Sequence, residues 1–411
     1  MNAFDLLYSI GATVLAPVWM RKTRGDWRAR RGFADPLPKS GKPRLMLHAV
    51  SVGEVAALRH LVPLLTPDWD LVISVGTDTG IARARELYGK PGASQATIVR
   101  YPIDFSSCVA RFLDAVKPDI VALVELELWP NFVRACEKRG IPVAVINGRL
   151  SERSFRGYSR FKRILGPTFA RLTVAAVQDD AYFERFVAMG VPRERCCITG
   201  SMKWDSATIA TSVPGADDLA RELGIDRTKP LVVAGSTAED EEAILHAACL
   251  AIGPEVQLLC APRKPEHFDQ AASSLPGCVR RSKKVAAAPG TTRFLLDTIG
   301  ELRKAYALAD VVVMGRSFGS LYGSDPIEPA ALGKPVVIGP AVKDFETIVR
   351  TMDHAGAIVR TTRERVQADL ETLLRDPAER AALGQRAVAC VKANQGASAR
   401  NAQLVAKLKA T

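Results

Sequence analysis

The chain has 411 residues, of which 47% are hydrophobic, 24% charged and 6% aromatic, so it reads as globular for most of its length, with room for two domains of roughly 150–200 residues each. A formal net charge of +12 attracts anions without choosing among nucleic acid, anionic lipid and sugar phosphate. No RNA-recognition signature, zinc-finger spacing or aromatic–basic interleaving is present, which argues against nucleic acid. The eight cysteines are scattered without a C-x-x-C and the five histidines stand far apart, a pattern that fits reduced thiols and offers no metal-ligand spacing.

The N-terminus carries an apolar run, Phe4–Met20, interrupted by Asp5 and Pro17 and followed by Arg21, Lys22, Arg24, Arg28, Arg30 and Arg31. No basic stretch precedes the run and no cleavage site comes after it, so a removable signal peptide is not expected. Its length is marginal for a full span of about 20 residues. Three readings stay open: a short anchor, a helix lying in the membrane interface, or a first helix packed on the protein's own surface. For either membrane reading, the basic flank puts the downstream chain on the anionic, cytoplasmic side.

After Pro43, short β-branched runs alternate with amphipathic stretches. Leu45–Val50, Leu71–Val75, Ile120–Val124, Val143–Ile146 and Thr173–Val177 read as strands, with helices at Val55–Leu65, Ile81–Tyr88, Val109–Val116 and Asn131–Lys138 between them. Near-continuous apolar strands separated by helices predict a parallel sheet covered on both faces. Ser206–Lys229, rich in small and polar residues, reads as a linker. A second alternation comes next, with strands at Leu231–Ala234, Val256–Cys260, Asp310–Met314 and Pro335–Ile338, and an Ala-rich helical tail starts at Pro377. The predicted organisation is an anchor with its basic flank (1–31), a Rossmann-like domain (32–205), a linker (206–229), a second Rossmann-like domain (230–376) and a helical tail (377–411). Two such α/β domains facing a cleft describe the GT-B type.

Ligands of open parallel sheets bind beyond the carboxyl ends of the strands. The first strand runs into Ser51-Val52-Gly53-Glu54, where Glu54 either faces the cleft or serves as a helix-start charge. Ile120–Val124 ends in Glu125-Leu126-Glu127-Leu128-Trp129-Pro130-Asn131. Both acids share a face if the strand continues, and only one need do so if the chain turns at Leu126. Pro130 suits the first turn of the next helix. In the second half, Gly235-Ser236-Thr237 offers a phosphate-binding turn or an ordinary helix cap. Pro262-Arg263-Lys264 brings two cations to a strand end. The loops Asp297–Leu302 and Gly323–Pro329 each lead into a helix start. No complete G-x-G-x-x-G or Walker A pattern occurs, which disfavours dinucleotide and ATP chemistry.

Taken in order, His48–Glu54, Glu125–Asn131, Asn147-Gly148-Arg149-Leu150-Ser151 with Arg153-Ser154, Gly200–Asp205, Pro262-Arg263, Asp297–Leu302 and Pro326–Ala330 resemble the bacterial 3-deoxy-D-manno-octulosonic acid (Kdo) transferases. The resemblance covers almost the whole chain. It implies a GT-B glycosyltransferase with an N-terminal membrane-anchoring helix, on the cytoplasmic side of the inner membrane. It further implies inverting transfer of Kdo from CMP-Kdo to a lipid A precursor, with no metal ion or other cofactor. By motif position Glu54 is the general base, Glu125 and Lys203 stabilise the transition state, and CMP is held by Pro262, Arg263, Ile299, Gly300, Glu301, Asp325, Pro326, Ile327 and Glu328. Three stretches depart from the family pattern, the first being Glu125-Leu126-Glu127, where Glu-Thr-Glu is usual. Ser324-Asp325 stands where Gly-His-Asn is usual, putting an acceptor-only acid near a phosphate, and Arg263-Lys264-Pro265-Glu266-His267 replaces Arg-His-Pro-Glu-Arg. Competing readings are a GT-B transferase using a UDP or GDP donor, and an inactive lipid A-binding paralogue. Because the expected chemistry begins at Glu54, a chain lacking everything before Arg31 is expected to leave the membrane and keep its activity.

Overall fold

The computed structural model describes residues 4–6, 8, 9, 25–92, 95–238, 240–285 and 287–409. The chain divides into two compact units, residues 1–206 with 395–411, and residues 207–394. Most of the apolar run Phe4–Met20, together with Arg21, Lys22 and Arg24, lies outside the described residues. Among those described, no helix is long and apolar enough to cross a membrane.

The first unit is built on seven parallel strands: β1 (Arg44–Ala49), β2 (Asp70–Val75), β3 (Thr97–Arg100), β4 (Ile120–Val124), β5 (Val143–Gly148), β6 (Val174–Val177) and β7 (Cys196–Ile198), in the order β3-β2-β1-β4-β5-β6-β7. β1 and β4 are buried at every position, as strands covered by helices on both faces must be. The chain works outward from β1 to β3, then returns to lay β4 beside β1. This reversal makes the β1/β4 border the switch point, where neighbouring loops diverge and leave a crevice. The loops that flank it are 50–54 and 125–129. The stretch expected to form one helix, Val55–Leu65, is broken into Val52–Ala57, a 3₁₀ turn Leu58–His60 and Val62–Leu65. Pro63 has no N–H to continue the ladder and therefore starts a new turn.

The second unit repeats the plan with β8 (Leu231–Thr237), β9 (Gln257–Pro262), β10 (Val279–Arg280), β11 (Arg293–Leu295), β12 (Val311–Met314), β13 (Val336–Ile338) and β14 (Val359–Arg360), ordered β10-β11-β9-β8-β12-β13-β14 and again parallel. The stretch 206–229 is not wholly extended, since it carries a helix, Ala216–Leu223, that buries Leu219 and Leu223. The Ala-rich tail divides. Pro377–Asn394 stays with the second unit, whereas Ala397–Lys407 packs into the first and buries Val405 in its core.

That last helix starts at Gly396 without a side chain to cap it. Asp205 supplies the acceptors, with Oδ1 taking the Gly396 N–H and Oδ2 the Ser398 N–H, both at 2.6 Å. Asp205→Ala should therefore cost about 1–2 kcal/mol, the usual loss of an N-terminal cap. Urea unfolding would measure it, and hydrogen exchange should quicken first in residues 397–407.

Candidate functional site

Glu54 is fixed by a reciprocal capping box. Ser51 is the N-cap of Val52–Ala57, its Oγ accepting the Glu54 N–H at 3.3 Å while its hydroxyl donates to Glu54 Oε1 at 2.7 Å. The Val50 N–H donates to Glu54 Oε2 at 2.8 Å. The helix-start role is thus present in the geometry, with each oxygen keeping a further lone pair.

β4 ends at Val124, and the chain turns at Glu125, one residue earlier than Leu126. Glu125 has φ +60°, in the left-handed region, which costs a side-chain-bearing residue on the order of 1–2 kcal/mol. Its N–H reaches the Ile146 carbonyl at 3.0 Å, which holds the turn against β5. The Trp129 indole N–H donates to Glu127 Oε2 at 3.1 Å.

Electrostatic coupling shows that these acids share one locus. Burial raises the Glu125 carboxyl above its ordinary range, the charge of Glu54 raises it further, and Arg149 and Lys203 oppose both. Burial, then Glu54 and Glu125, push Glu127 up to about 7, against the Trp129 hydrogen bond. The Tyr158 phenol is raised by burial and by the charge of Glu127, so the helix Glu152–Ser159 also borders the locus.

The two cations arrive on connected segments. Asn147, at φ +52° in β5, accepts the Met202 N–H on its side-chain oxygen at 3.0 Å and the Gln178 amide on its carbonyl at 3.0 Å. Asn147-Gly148-Arg149 and the 3₁₀ turn Met202–Ser206 are thereby joined. Of the expected catalytic residues, Glu54, Glu125 and Lys203 come together. Glu127 and Tyr158 join them, although neither is assigned a role by the sequence motifs. Glu127 is in view within the acid doublet, whereas nothing local marks Tyr158. His48, in the same motif as Glu54, is fully buried in β1, stacked on Tyr101 at 3.8 Å between centroids and bonded through Nδ1 to the Ser74 carbonyl. Burial lowers it to about 4, so it packs as a neutral ring.

In the second unit the Gly235-Ser236-Thr237 turn leads into Ala238, whose N–H is taken by a carboxylate at the start of the next helix. The buried Glu241 carboxylate accepts the N–H groups of Ala238 (3.0 Å), Arg316 (2.7 Å), Ser317 (2.9 Å) and Phe318 (3.1 Å). The anion site at the β8/β12 switch point is thus filled by the chain itself. Pro262 ends β9, and the Arg263 N–H bonds the Thr237 carbonyl at 2.9 Å. Arg263, Asp325 and Glu328 gather around the buried Tyr306, whose phenol is raised by burial and by both acids and lowered by Arg263. Asp325 Oδ1 accepts the Ile327 N–H at 3.0 Å. Pro326 and Ile327 are buried, so Ile327 turns its side chain to the core. Glu328 lies 3.8 Å from Arg303. Glu301 is engaged by Thr298 (2.7 Å) and Arg281 (3.2 Å), beside the well-exposed Ile299 and Gly300 at φ +92°. A cavity of about 620 Å³ at the ends of β12–β14, lined by Tyr322, Lys343 and Arg350 among others, takes in none of the residues expected to hold CMP.

With these two clusters in place, comparison with known proteins identifies the chain's relatives. A family model described as 3-deoxy-D-manno-octulosonic-acid transferase (kdotransferase) matches residues 25–206. The 3-deoxy-D-manno-octulosonic acid transferase of Bordetella pertussis is 32% identical over 96% of this chain and 97% of that protein. The chain belongs to the Kdo transferase family. The Kdo transferase of Haemophilus influenzae is 31% identical over 86% of this chain and 84% of its own. Anabaena HepE in complex with UDP matches in fold alone, with a TM-score of 0.58 at 15% identity over 90% of this chain and 100% of its own. The two parallel-sheet units accordingly resemble those of GT-B glycosyltransferases.

The acid locus yields a pH prediction. The Glu127 carboxyl is held near 7, above its unfolded value of about 4.5, so between those limits the folded protein keeps a proton that the unfolded chain releases. Stability from this group is full below about pH 4.5 and lost as pH rises through 7. Glu127→Gln keeps an oxygen for Trp129 and removes the loss, so it should raise stability at pH 8 by on the order of 1–3 kcal/mol and leave it unchanged near pH 4. Melting temperatures of both proteins across that range would check it; equal values at pH 8 would show that Glu127 ionises without strain.

Proposed function

We propose that this Kdo transferase family member transfers Kdo from CMP-Kdo to a hydroxyl of a lipid A precursor, with inversion, in lipopolysaccharide synthesis. The observation that carries the reading is the convergence of Glu54, Glu125 and Lys203 beyond β1 and β4 in a chain aligned with Kdo transferases over nearly its whole length. An alcohol is a poor nucleophile at neutral pH, so the acceptor needs a base. Glu54 takes the acceptor proton on a carboxylate oxygen, the acceptor oxygen bonds to the anomeric carbon of Kdo, and the bond from that carbon to the phosphate oxygen breaks. CMP leaves with the electron pair. Lys203 meets the charge that develops as it departs, and Glu125 supports the positive character of the sugar. The proposed step uses no metal ion. CMP lies against Pro262, Arg263, Ile299, Gly300, Glu301 and the Asp325–Glu328 turn, with Arg263 on the phosphate. For Ile327 the contact is proposed through backbone, since its side chain is buried.

An anionic inner-membrane surface, faced from the cytoplasm, is the proposed seat. The surface of residues 153–164 supports it: Phe161 and Ile164 are 59% and 49% exposed, set among exposed Arg153, Arg156, Arg160, Lys162 and Arg163. Apolar side chains ringed by cations suit the boundary between lipid headgroups and acyl chains.

Purified protein given freshly generated CMP-Kdo and a tetra-acylated lipid A precursor should form the Kdo adduct, read by mass spectrometry; absence of product would overturn the reading. CMP should raise the melting temperature and UDP should not, which separates the rival donors. Glu54→Gln tests the base against the cap. Gln at this position can accept the Val50 N–H and donate to Ser51 Oγ, so folding should persist. Turnover should fall about 10²–10⁴-fold, the range for loss of a general base. Turnover within a few-fold of the parent would leave Glu54 only its capping role. Arg263→Ala should weaken CMP binding by about 1.5–3 kcal/mol, as for a lost hydrogen bond to a charged group, and calorimetry showing no change would misplace the phosphate.

A further inference from the structure

The helix Ser106–Val116 is preceded by Phe105 and the helix Pro130–Glu137 by Trp129, and neither residue caps the amides of its helix. Uncapped first turns leave N–H groups without intrahelical partners. Here the acceptors come from elsewhere in the chain. Asp104 Oδ2 takes the Asn131 N–H at 3.0 Å and Oδ1 the Phe132 N–H at 2.8 Å. Asp5 serves the other helix, Oδ1 taking the Ser106 N–H at 2.8 Å and Oδ2 the Ser106 hydroxyl at 2.6 Å.

One side chain joins the two caps. Asn131 Nδ2 donates to Asp5 Oδ1 at 3.1 Å and to the Asp104 carbonyl at 2.6 Å. The Tyr8 hydroxyl donates to Asp104 Oδ2 at 2.9 Å, and its ring stands edge-on to Phe105 at 5.9 Å. Asp5, Asn131 and Asp104 are 2%, 3% and 7% exposed. A carboxylate buried this far is retained only with strong partners, and Asp5 finds them at the root of the loop that carries Glu125, Glu127 and Trp129.

We propose that Asp5 is a positioning residue for the Glu125–Trp129 loop, through which the N-terminal segment sets the geometry of the acid locus. The inference rests on the reading of that locus as the site of Kdo transfer. Had Ser or Asp stood at positions 105 and 129, each helix would close on itself and the loop would be independent of Asp5 and Tyr8. Because the caps are borrowed, the first turn at Asn131 keeps its footing only while Asp5 and Tyr8 are seated. Two residues upstream of Asn131, Trp129 holds Glu127 through its indole, so a shift of this helix start moves the acid. The same contacts replace the expectation that a chain cut before Arg31 stays active: the cut removes Asp5 and Tyr8.

The test compares full-length parent, Asp5→Ala, Asp5→Asn and Leu6→Ser in detergent. Leu6 is 56% exposed and serves as a control in the same segment. Turnover, KM, CMP affinity, melting temperature and hydrogen exchange are measured on each. Asp5→Ala should lower kcat by about 10- to 100-fold, the loss that a misplacement of about 1 Å at a reacting site carries. CMP affinity should stay unchanged while exchange quickens in residues 125–133. Asp5→Asn keeps one acceptor oxygen and should recover part of the rate, and Leu6→Ser should match the parent. Parental kcat in Asp5→Ala would overturn the proposal, as would a fall in melting temperature with uniformly faster exchange and unchanged kcat per folded molecule. If the parent itself makes no Kdo adduct, the Kdo-transfer reading fails on its own. Exchange at 125–133 then still decides whether Asp5 positions the loop, faster exchange in Asp5→Ala supporting it and unchanged exchange overturning it.

Discussion

Every strand-to-helix turn in a parallel sheet leaves a cluster of backbone N–H groups at the positive end of a helix, and what accepts them governs what else can happen at that strand end. This chain fills several such turns, and two further clusters of backbone amides, with its own carboxylates. Glu54 closes the turn after β1, Asp104 the start of Pro130–Glu137, Asp5 the start of Ser106–Val116, Asp205 the start of Ala397–Lys407, and Glu241 the amides of residues 316–318. A carboxylate receiving two or more N–H groups recovers part of its desolvation, though burial still raises Asp104 and Glu241, and it fixes its backbone partners more firmly than a neutral cap would.

That division of labour explains why an acid pair survives beside the β1/β4 border. A helix that comes after a strand usually draws its cap from the residues just before it, which here are Glu127, Leu128 and Trp129. Asp104 provides the cap instead, so Glu127 is left to bond the Trp129 indole and Glu125 to feel the fields of Glu54, Arg149 and Lys203. Both acids are raised first by burial and then by like charge, and Glu127 is pushed up to about 7. The positive φ of Glu125 serves the same end: the strained turn keeps the acid at the strand end instead of letting the chain run on to Leu126.

The sheets are legible in the sequence because their central strands are apolar on both faces; the run Ile120–Val124 matches β4 to the residue. Thr97–Arg100, Cys196–Ile198 and Arg293–Leu295 escape such a reading. They are short, lie toward the sheet edges, and mix in an exposed Thr97, an exposed Ile198 and a charged Arg293. The helix Ala216–Leu223 is hidden by the polar and small residues around it, which look like a linker when its two buried leucines are not paired with a surface. At the acid locus, the Ser51–Glu54 box is visible because its partners are three residues apart. Asp104 and Asp5 act across 27 and 101 residues, and no local pattern encodes such a contact. Aspartate inside an apolar run reads as a flaw in an anchor until its partners are seen.

Lys203 shows how far the chain goes to fix a single charge. Lysine is a point charge on a flexible stem, so ordering it costs side-chain entropy that a rigid backbone can only partly spare. The backbone on both sides of Lys203 is pinned within four residues. The Met202 N–H is bound by Asn147, the Trp204 carbonyl by the Gln395 side chain at 3.1 Å, and the Asp205 carboxylate by Gly396 and Ser398. Two of these three ties come from the last segment of the chain, which leaves the second unit at Asn394 and returns to the first. In a site proposed to meet negative charge as a phosphate departs, a lysine whose backbone is fixed beforehand needs less reorganisation at the moment of reaction. On that proposal the return of the C-terminal helix serves the chemistry of the first unit as well as its packing.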